Sequence, residues 1–380
     1  MQRTVYTAEH EQFRAAVREF VDRDLRPSLA RFRAEGAVDR AAWHRAGEFG
    51  LLGLTIPVEH GGGGNDDYRF RAVAIEELAR ASHGLSSTFS IHFDIATPYL
   101  VDLASDAVAA HWLPRLSDGT AIAAIALTEP EAGSDLAALT TTATPTSDGW
   151  ILDGSKAFIT NGGIADIAVV AARTGGPGAA GISLFAVPLA ADGVARSAPL
   201  QKLGLHESNT ANLTFTQVQV PEDHLLGRLD EGFGELMRRL PFERLSSAIA
   251  NLAQTRAAFE LAITQGQERA AFGRPVGSWQ HNAFTLADLS ARIEAASTFV
   301  DACIGARARG TLDAGDTARA KLLTAQVEHD VMDAALQLFG GSGYMADSAI
   351  GPAWTDARVT RIWAGSSEVM RLLISRDLGL

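Results

Sequence analysis

The 380-residue sequence predicts an α+β fold, mainly helical, with a β segment set between two helical ones. Three observations predict it. Apolar residues recur at three- and four-residue spacing in residues 1–118 and again in 229–380. Residues 119–228 break instead into short β-prone runs separated by Gly, Asp and Pro. Strands and helices do not alternate in the βαβ manner, which argues against a Rossmann domain. The three segments read as an N-terminal helical domain, a middle β-sandwich or barrel domain, and a C-terminal helical bundle.

In the first segment Phe13, Ala16, Val17 and Phe20-Val21 mark a helix that Pro27 ends or bends. Trp43, Ala46, Phe49 and Gly50 mark another. The four glycines Gly61 to Gly64 read as a mobile surface loop, since neither a basic residue nor a strand-then-helix context supports a phosphate cradle. Helix resumes at Val73 to Ala79. Ser86 to Phe93 mixes small polar and aromatic residues; it lines a cavity or packs a tight helix contact. We read it as packing, with Phe89 the residue placed to reach a ligand. In the middle segment Asp148-Gly149 is a turn signal before Trp150-Ile151-Leu152. Ile167 to Ala172 and Ile182 to Val187 read as buried strands. Leu213 and Phe215 alternate out of phase with Val218 and Val220, which calls for a bulge or two strands. The β region closes near Gly227. Beyond it, long helices are expected from Phe233 through Leu252 past Pro241, from Phe284 to Ile304, and from Leu322 to Phe339.

Composition excludes several functions. Net charge is −12 and no Lys/Arg run exists, so nucleic acid is not an expected partner. One cysteine, Cys303, leaves no intrachain disulfide and no cysteine-based zinc site; its apolar surroundings mark it as core. No metal site is expected. The charged N-terminus lacks a signal pattern, and no apolar run reaches the length of about 18 residues that suggests a membrane span. A reducing cytoplasm is the expected location.

Six stretches carry residues suited to chemistry. Ala126 to Asp135 holds two hydroxyls, a proline and a backbone-exposing glycine. It suits hydrogen bonding to a flat heteroaromatic ring or an acyl carbonyl, and equally an ordinary capped turn. Phe158 and Thr160, two apart on a strand, face one side, with the ring to pack and the hydroxyl to bond. Arg269 to Arg274 offers a phosphate-matching guanidinium. Gln337 to Tyr344 ends a helix in glycines, fitting a cap with Gly341 or Gly343 and a close ligand approach alike. The last two are Leu240-Pro241-Phe242-Glu243-Arg244-Leu245 and Arg361 to Glu368. They are expected to meet, so that Glu243 acts as a base beside the Ala364-Gly365 turn; taken singly, Glu243 also reads as a solvated helix carboxylate.

In order and spacing these stretches resemble the acyl-CoA dehydrogenase family over essentially the whole chain. The resemblance implies a C-terminal four-helix bundle and FAD bound between the β domain and that bundle. Leu127, Thr128, Gly133 and Ser134 match the loop that binds flavin and substrate, and Phe158 and Thr160 match the flavin-contacting strand. Arg269, Phe272, Gln337 and Gly341 match residues that reach the FAD of a neighbouring subunit, which requires a homo-oligomer, a dimer or tetramer. Trp363, Ser366 and Glu368 match the turn that touches FAD. Phe89, Ser134, Arg244, Ala364 and Gly365 are the expected substrate contacts.

Three departures matter. Many members carry the catalytic Glu where this chain has Ala364, which takes no proton. The long-chain and isovaleryl branches carry it on the bundle helix, and their pattern matches Glu243. Phe158 replaces a common Trp or Tyr, and Glu131 replaces a common Gly. The implied reaction is α,β-dehydrogenation of an acyl thioester to the 2,3-enoyl product, with Glu243 removing the α-proton, flavin taking the β-hydride, and an electron-transferring flavoprotein as final acceptor. Alternatives are the same chemistry on an acyl-carrier protein, an oxidase, and a silent flavin-binding scaffold. Pocket depth rests on residues 89–99 and 233–245. His92 and His206 stay outside the expected site.

Overall fold

A computed structural model describes residues 3–380. The first segment holds α1 (Ala8–Phe20), α2 (Leu29–Glu35), α3 (Arg40–Glu48), α4 (Tyr68–Ala81), α5 (His83–Ser90), α6 (Thr97–Leu103) and α7 (Asp106–Ser117). Pro27 bends rather than ends the first helical run: a π-helical turn, Val21–Leu25, and a 3₁₀ turn, Arg26–Ser28, lead directly into α2. A second π-helical turn, Ile91–Ala96, links α5 to α6. The core of this segment is α4, whose Ala72, Val73, Ile75 and Leu78 are fully buried. Its two buried carboxylates are paired from α1 and the N-terminus, Glu76 by Arg3 at 2.7 Å and Glu77 by Arg18 at 2.8 Å. The glycine loop lies at the surface, as expected, and is tied down by backbone hydrogen bonds. Gly62, Gly63 and Gly64 donate to the carbonyls of Pro57, Gly53 and Ile56, and a Cβ on Gly62 would lie 2.1 Å from the Ile56 carbonyl oxygen. Glycine is needed there for close approach.

The strands are β1 (Ala123–Ala126), β2 (Thr142–Thr146), β3 (Gly149–Thr160), β4 (Ile167–Arg173), β5 (Ile182–Pro188), β6 (Val194–Arg196), β7 (Thr210–Pro221) and β8 (Leu225–Leu226). Their order is β6-β7-β3-β2-β4-β5-β8, with β1 parallel to β4. β2 and β4 join only through Thr142 and Arg173. The two halves fold onto each other as a sandwich: Leu152, Leu213, Phe215 and Val218 share a core with Val170, Phe185 and Val187. The opposite faces of β4 and β5, with Val169, Ala171 and Leu184, pack on Trp112, Leu113 and Leu116 of α7. Burial on both faces explains why these two strands read as unbroken apolar runs. The phase slip in β7 is a bulge within one strand: register shifts between Leu152 and Gly154, where Gln217 sits at φ +52° and bonds Asp153.

The C-terminal segment holds α8 (Gly232–Glu268), the short hairpin β9 (Ala270–Ala271) and β10 (Arg274–Pro275), then α9 (Gln280–Ala308), α10 (Ala314–Phe339), α11 (Gly351–Ala357) and α12 (Ser367–Asp377). α10 packs on α8, α9 and α12, giving a helical bundle on which α4 also rests. Pro241, two residues before Glu243, lies inside α8, where its missing N–H frees the Met237 carbonyl. α10 is capped by Gly340 at φ +61°, not by Gly341 or Gly343. No helix is long and apolar enough to cross a membrane among the described residues.

Candidate active site

A cavity of about 640 Å³ lies where the three segments meet. α5 and its π-helical turn contribute Ser86, Ser87, Ser90, Ile91 and Ile95; α8 contributes Glu243, Ser246 and Ser247. The serines therefore line a cavity as well as pack, a correction to the packing reading. They are small because a helix face that borders a ligand space needs short side chains. Phe89 points the other way. It is fully buried with its ring 4.6 Å from that of Trp43, and it does not line the cavity.

The loop after β1 places Leu127, Thr128, Gly133 and Ser134 on the cavity wall. A buried carboxylate holds it there. Glu129 accepts from the backbone N–H groups of Thr140 and Thr141, at 2.6 and 2.9 Å, and from Lys156 Nζ at 2.7 Å. Desolvation pushes Glu129 up, but the lysine and these donors outweigh it and hold the carboxyl down at about 2. Burial pulls the Lys156 ammonium down to about 8. The loop also bonds β3 through the Ala157 N–H and the Thr128 carbonyl at 2.8 Å. Glu131, the departure from the family pattern, is exposed and outside the cavity.

Phe158 and Thr160 both line the cavity, but not by simple strand alternation. A second bulge falls between Lys156 and Ile159, with Phe158 at φ +59° and its N–H held by Asn212 Oδ1 at 3.1 Å. The bulge re-aims the ring, which is left 68% exposed.

The two distant stretches do meet. Glu243, Trp363, Ala364, Gly365 and Ser366 line the same cavity. Ala364 and Gly365 stand at φ +50° and +87°, a left-handed pair that turns the chain sharply before Ser366 caps α12. Lys321, fully buried on α10, donates to the Gly365 carbonyl at 2.6 Å and fixes the turn. Burial and the neighbouring Arg244 bring its ammonium down to about 8. Desolvation raises the Glu243 carboxyl to about 6; Arg244 and Lys321 oppose the rise, while Asp94 adds to it. Arg244 is half-buried behind the Gly365 turn and does not line the cavity.

Arg269, Phe272, Gln337, Gly341 and Glu368 are exposed and also lie outside it. Phe272 and Gly273 form the two-residue turn of the β9–β10 hairpin, both at positive φ, with the Phe272 ring 94% exposed. Sequence reasoning missed Lys321, Ser246 and Ser247; a lysine within an apolar helical pattern was the available signal for the first. His92 is structural: it bridges the Leu116 carbonyl and the Ala123 N–H, and burial lowers it to about 4.

The walls suit FAD. An uncovered aromatic ring, the hydroxyls of Thr128, Ser134 and Thr160, and the buried Trp363 indole N–H without a partner offer packing and hydrogen bonds to a flat heteroaromatic system.

Residues 7–120, 124–218 and 230–379 match, in turn, the N-terminal, middle and C-terminal domains of acyl-CoA dehydrogenase. The long-chain specific enzyme of Sus scrofa is 38% identical over 99% of this chain and 88% of its own length. An acyl-CoA dehydrogenase of Bacillus subtilis is 34% identical over 98% of each. The solved acyl-CoA dehydrogenase of Geobacillus kaustophilus superposes with a TM-score of 0.97 at 36% identity, covering 100% of both chains. Isovaleryl and short-chain specific members also align, both at 32% over 97% of this chain, so several branches match. Three consecutive domain matches, relatives above 30% identity over nearly the whole chain and a matching architecture place the chain in the acyl-CoA dehydrogenase family.

Proposed function

We propose that Glu243 is the base that removes the α-proton in the α,β-dehydrogenation of an acyl thioester to its 2,3-enoyl form. As a family member the chain is an FAD-dependent acyl-CoA dehydrogenase. The observation that carries the proposal is a carboxylate raised to about 6 on a cavity wall that also holds Ala364. The α-proton of a thioester is weakly acidic, so a base desolvated toward neutrality is better matched to it than an ordinary carboxylate. Backbone N–H groups at the Ala364-Gly365 turn are suited to bond the acyl carbonyl and stabilise charge that develops on it. Lys321 would hold that turn in place. The position of Glu243 fits the long-chain and isovaleryl branches.

When bound, FAD supplies the acceptor for the β-hydride. Thr128, Ser134, Phe158, Thr160, Trp363 and Ser366 would hold it from this chain, with Leu127 and Gly133 shaping the loop. Arg269, Phe272, Gln337 and Gly341, exposed on one protomer, would complete the FAD site of a neighbouring copy in a dimer or tetramer. Glu368 would lie near its outer end. A glutaryl-CoA dehydrogenase of Mycobacterium smegmatis, 26% identical, is solved in complex with FADH2, which supports the cofactor. An electron-transferring flavoprotein is the electron acceptor that the family resemblance implies. We read CoA rather than a carrier protein as the thioester and the cytoplasm as the location.

Replacing Glu243 with Gln keeps shape and removes the base. The expected result is FAD content as in wild type with kcat lower by at least about 10²-fold, the range for a general base. Full turnover in that variant would exclude Glu243.

A further inference from the structure

A second cavity, of about 280 Å³, opens beyond Glu243. Ile95 and Glu243 line both cavities, so the two adjoin there. One helical face runs from the first into the second: Ser86, Ser87, Ser90 and Ile91 border the first, Ile95 both, and Asp94, Pro98 and Tyr99 the second. An acyl chain held with its α-carbon at Glu243 has this face as its track.

The second cavity is a poor place for a hydrocarbon tail. Arg71, Arg239 and Arg307 reach it from α4, α8 and α9. Arg71 is paired with Asp94 at 3.1 Å, and Arg239 with the exposed Asp102 at 2.7 Å. Arg307 has no carboxylate partner among the described residues; its guanidinium lies 3.4 Å above the Phe242 ring, beside the base. The Nε groups of all three arginines and the Tyr68 hydroxyl are buried without a hydrogen-bond partner, against a single such acceptor, Asp94 Oδ2. Arg71 and Tyr68 are more than nine-tenths buried. Of the other acids on the lining, Glu243 stands at the mouth shared with the first cavity, where it serves as the base, and Asp66 and Asp102 are exposed at the rim. Buried donors in excess ask for an oxygen-rich acceptor.

We propose that this cavity binds the distal end of the acyl chain and that the group it takes is a carboxylate, so the substrate is an ω-carboxyacyl thioester. The proposal rests on Glu243 being the base of the dehydrogenation. Arg307, whose charge has no carboxylate partner, is the specificity-determining residue, and Arg71 and Tyr68 add donors.

The test is steady-state kinetics of the FAD-loaded enzyme on matched pairs of CoA thioesters, each pair an unsubstituted acyl chain and its ω-carboxy counterpart of equal carbon number. The expected result, at the length that spans the two cavities, is at least about tenfold higher kcat/KM for the carboxylate. Arg307→Met should abolish that preference mainly through KM, and Arg307→Lys should restore part of it. Equal or better use of the unsubstituted chain at every length overturns the subsite while leaving the dehydrogenase reading intact. A preference that survives in FAD-loaded Arg307→Met also overturns it. Oxidation of neither member of any pair overturns the reading of Glu243 and this proposal with it.

Discussion

Glu243 is half-buried and its carboxyl titrates near 6 because desolvation outweighs the attraction of Arg244 and Lys321. Two consequences follow from the sign of that shift. Proton abstraction needs the ionised form, so kcat/KM should rise with pH up to about 6 and then level off; a plateau already reached by pH 5 would contradict the assignment. Stability runs the other way. A carboxyl raised in the folded state binds more protons there than in the unfolded chain, so its contribution is full below the unfolded value of about 4.3 and is lost as pH rises through 6. Glu243→Gln should therefore raise Tm at pH 8 but not at pH 4, as thermal unfolding of the two forms can show. Ala364 faces the same cavity, so Ala364→Glu in the Glu243→Gln background should recover part of the lost turnover.

At the scale of elements, the loop from Leu127 to Ser134 is held on β3 by the buried Glu129–Lys156 pair. Desolvation of the lysine offsets part of what the pair contributes, yet removing one partner strands the other. Lys156→Met should cost about 3–5 kcal/mol and lower FAD retention, measured by denaturant unfolding and the flavin-to-protein absorbance ratio. Helix and strand order were legible in the sequence because apolar periodicity survives wherever one face is buried. The bulge at Phe158 was not: strand alternation predicted the shared face of Phe158 and Thr160, but a left-handed residue and the Asn212 contact create it. Ser86, Ser87 and Ser90 were read as packing because small residues serve close helix contact and cavity walls alike. Lys321 escaped notice because only the fold brings α10 beside the Gly365 turn, 44 positions away in sequence.

For the whole molecule, the large apolar side chains exposed between residues 272 and 345 are Phe272, Phe284, Leu323, Tyr344 and Met345. They sit near Arg269 and Gln337 in sequence, on the segment proposed to complete a neighbour's FAD site. The purified enzyme should be a dimer or tetramer by light scattering. Phe272→Asp should shift it toward monomer and lower FAD content, with little change in protomer folding, since the ring is 94% exposed on the isolated chain. A monomeric wild type with full FAD content would contradict the shared site. The meeting of the β segment and the bundle was legible from motifs scattered along the sequence, and the fold collects Thr128, Phe158, Glu243 and Ala364 around one cavity; the wall supplied by the first segment was not, since Ser86, Ser87 and Ser90 were read as packing and Phe89 points away. What each residue does to the titration of its neighbours was not, since that depends on distances only the folded chain defines.

The most direct test of Glu243 as the base is anaerobic flavin absorbance of the purified yellow enzyme, titrated with a panel of acyl-CoA thioesters, in wild type and Glu243→Gln. The account predicts bleaching of wild type by at least one thioester and none in the FAD-loaded variant on the same timescale. Bleaching of both at equal rates would contradict it.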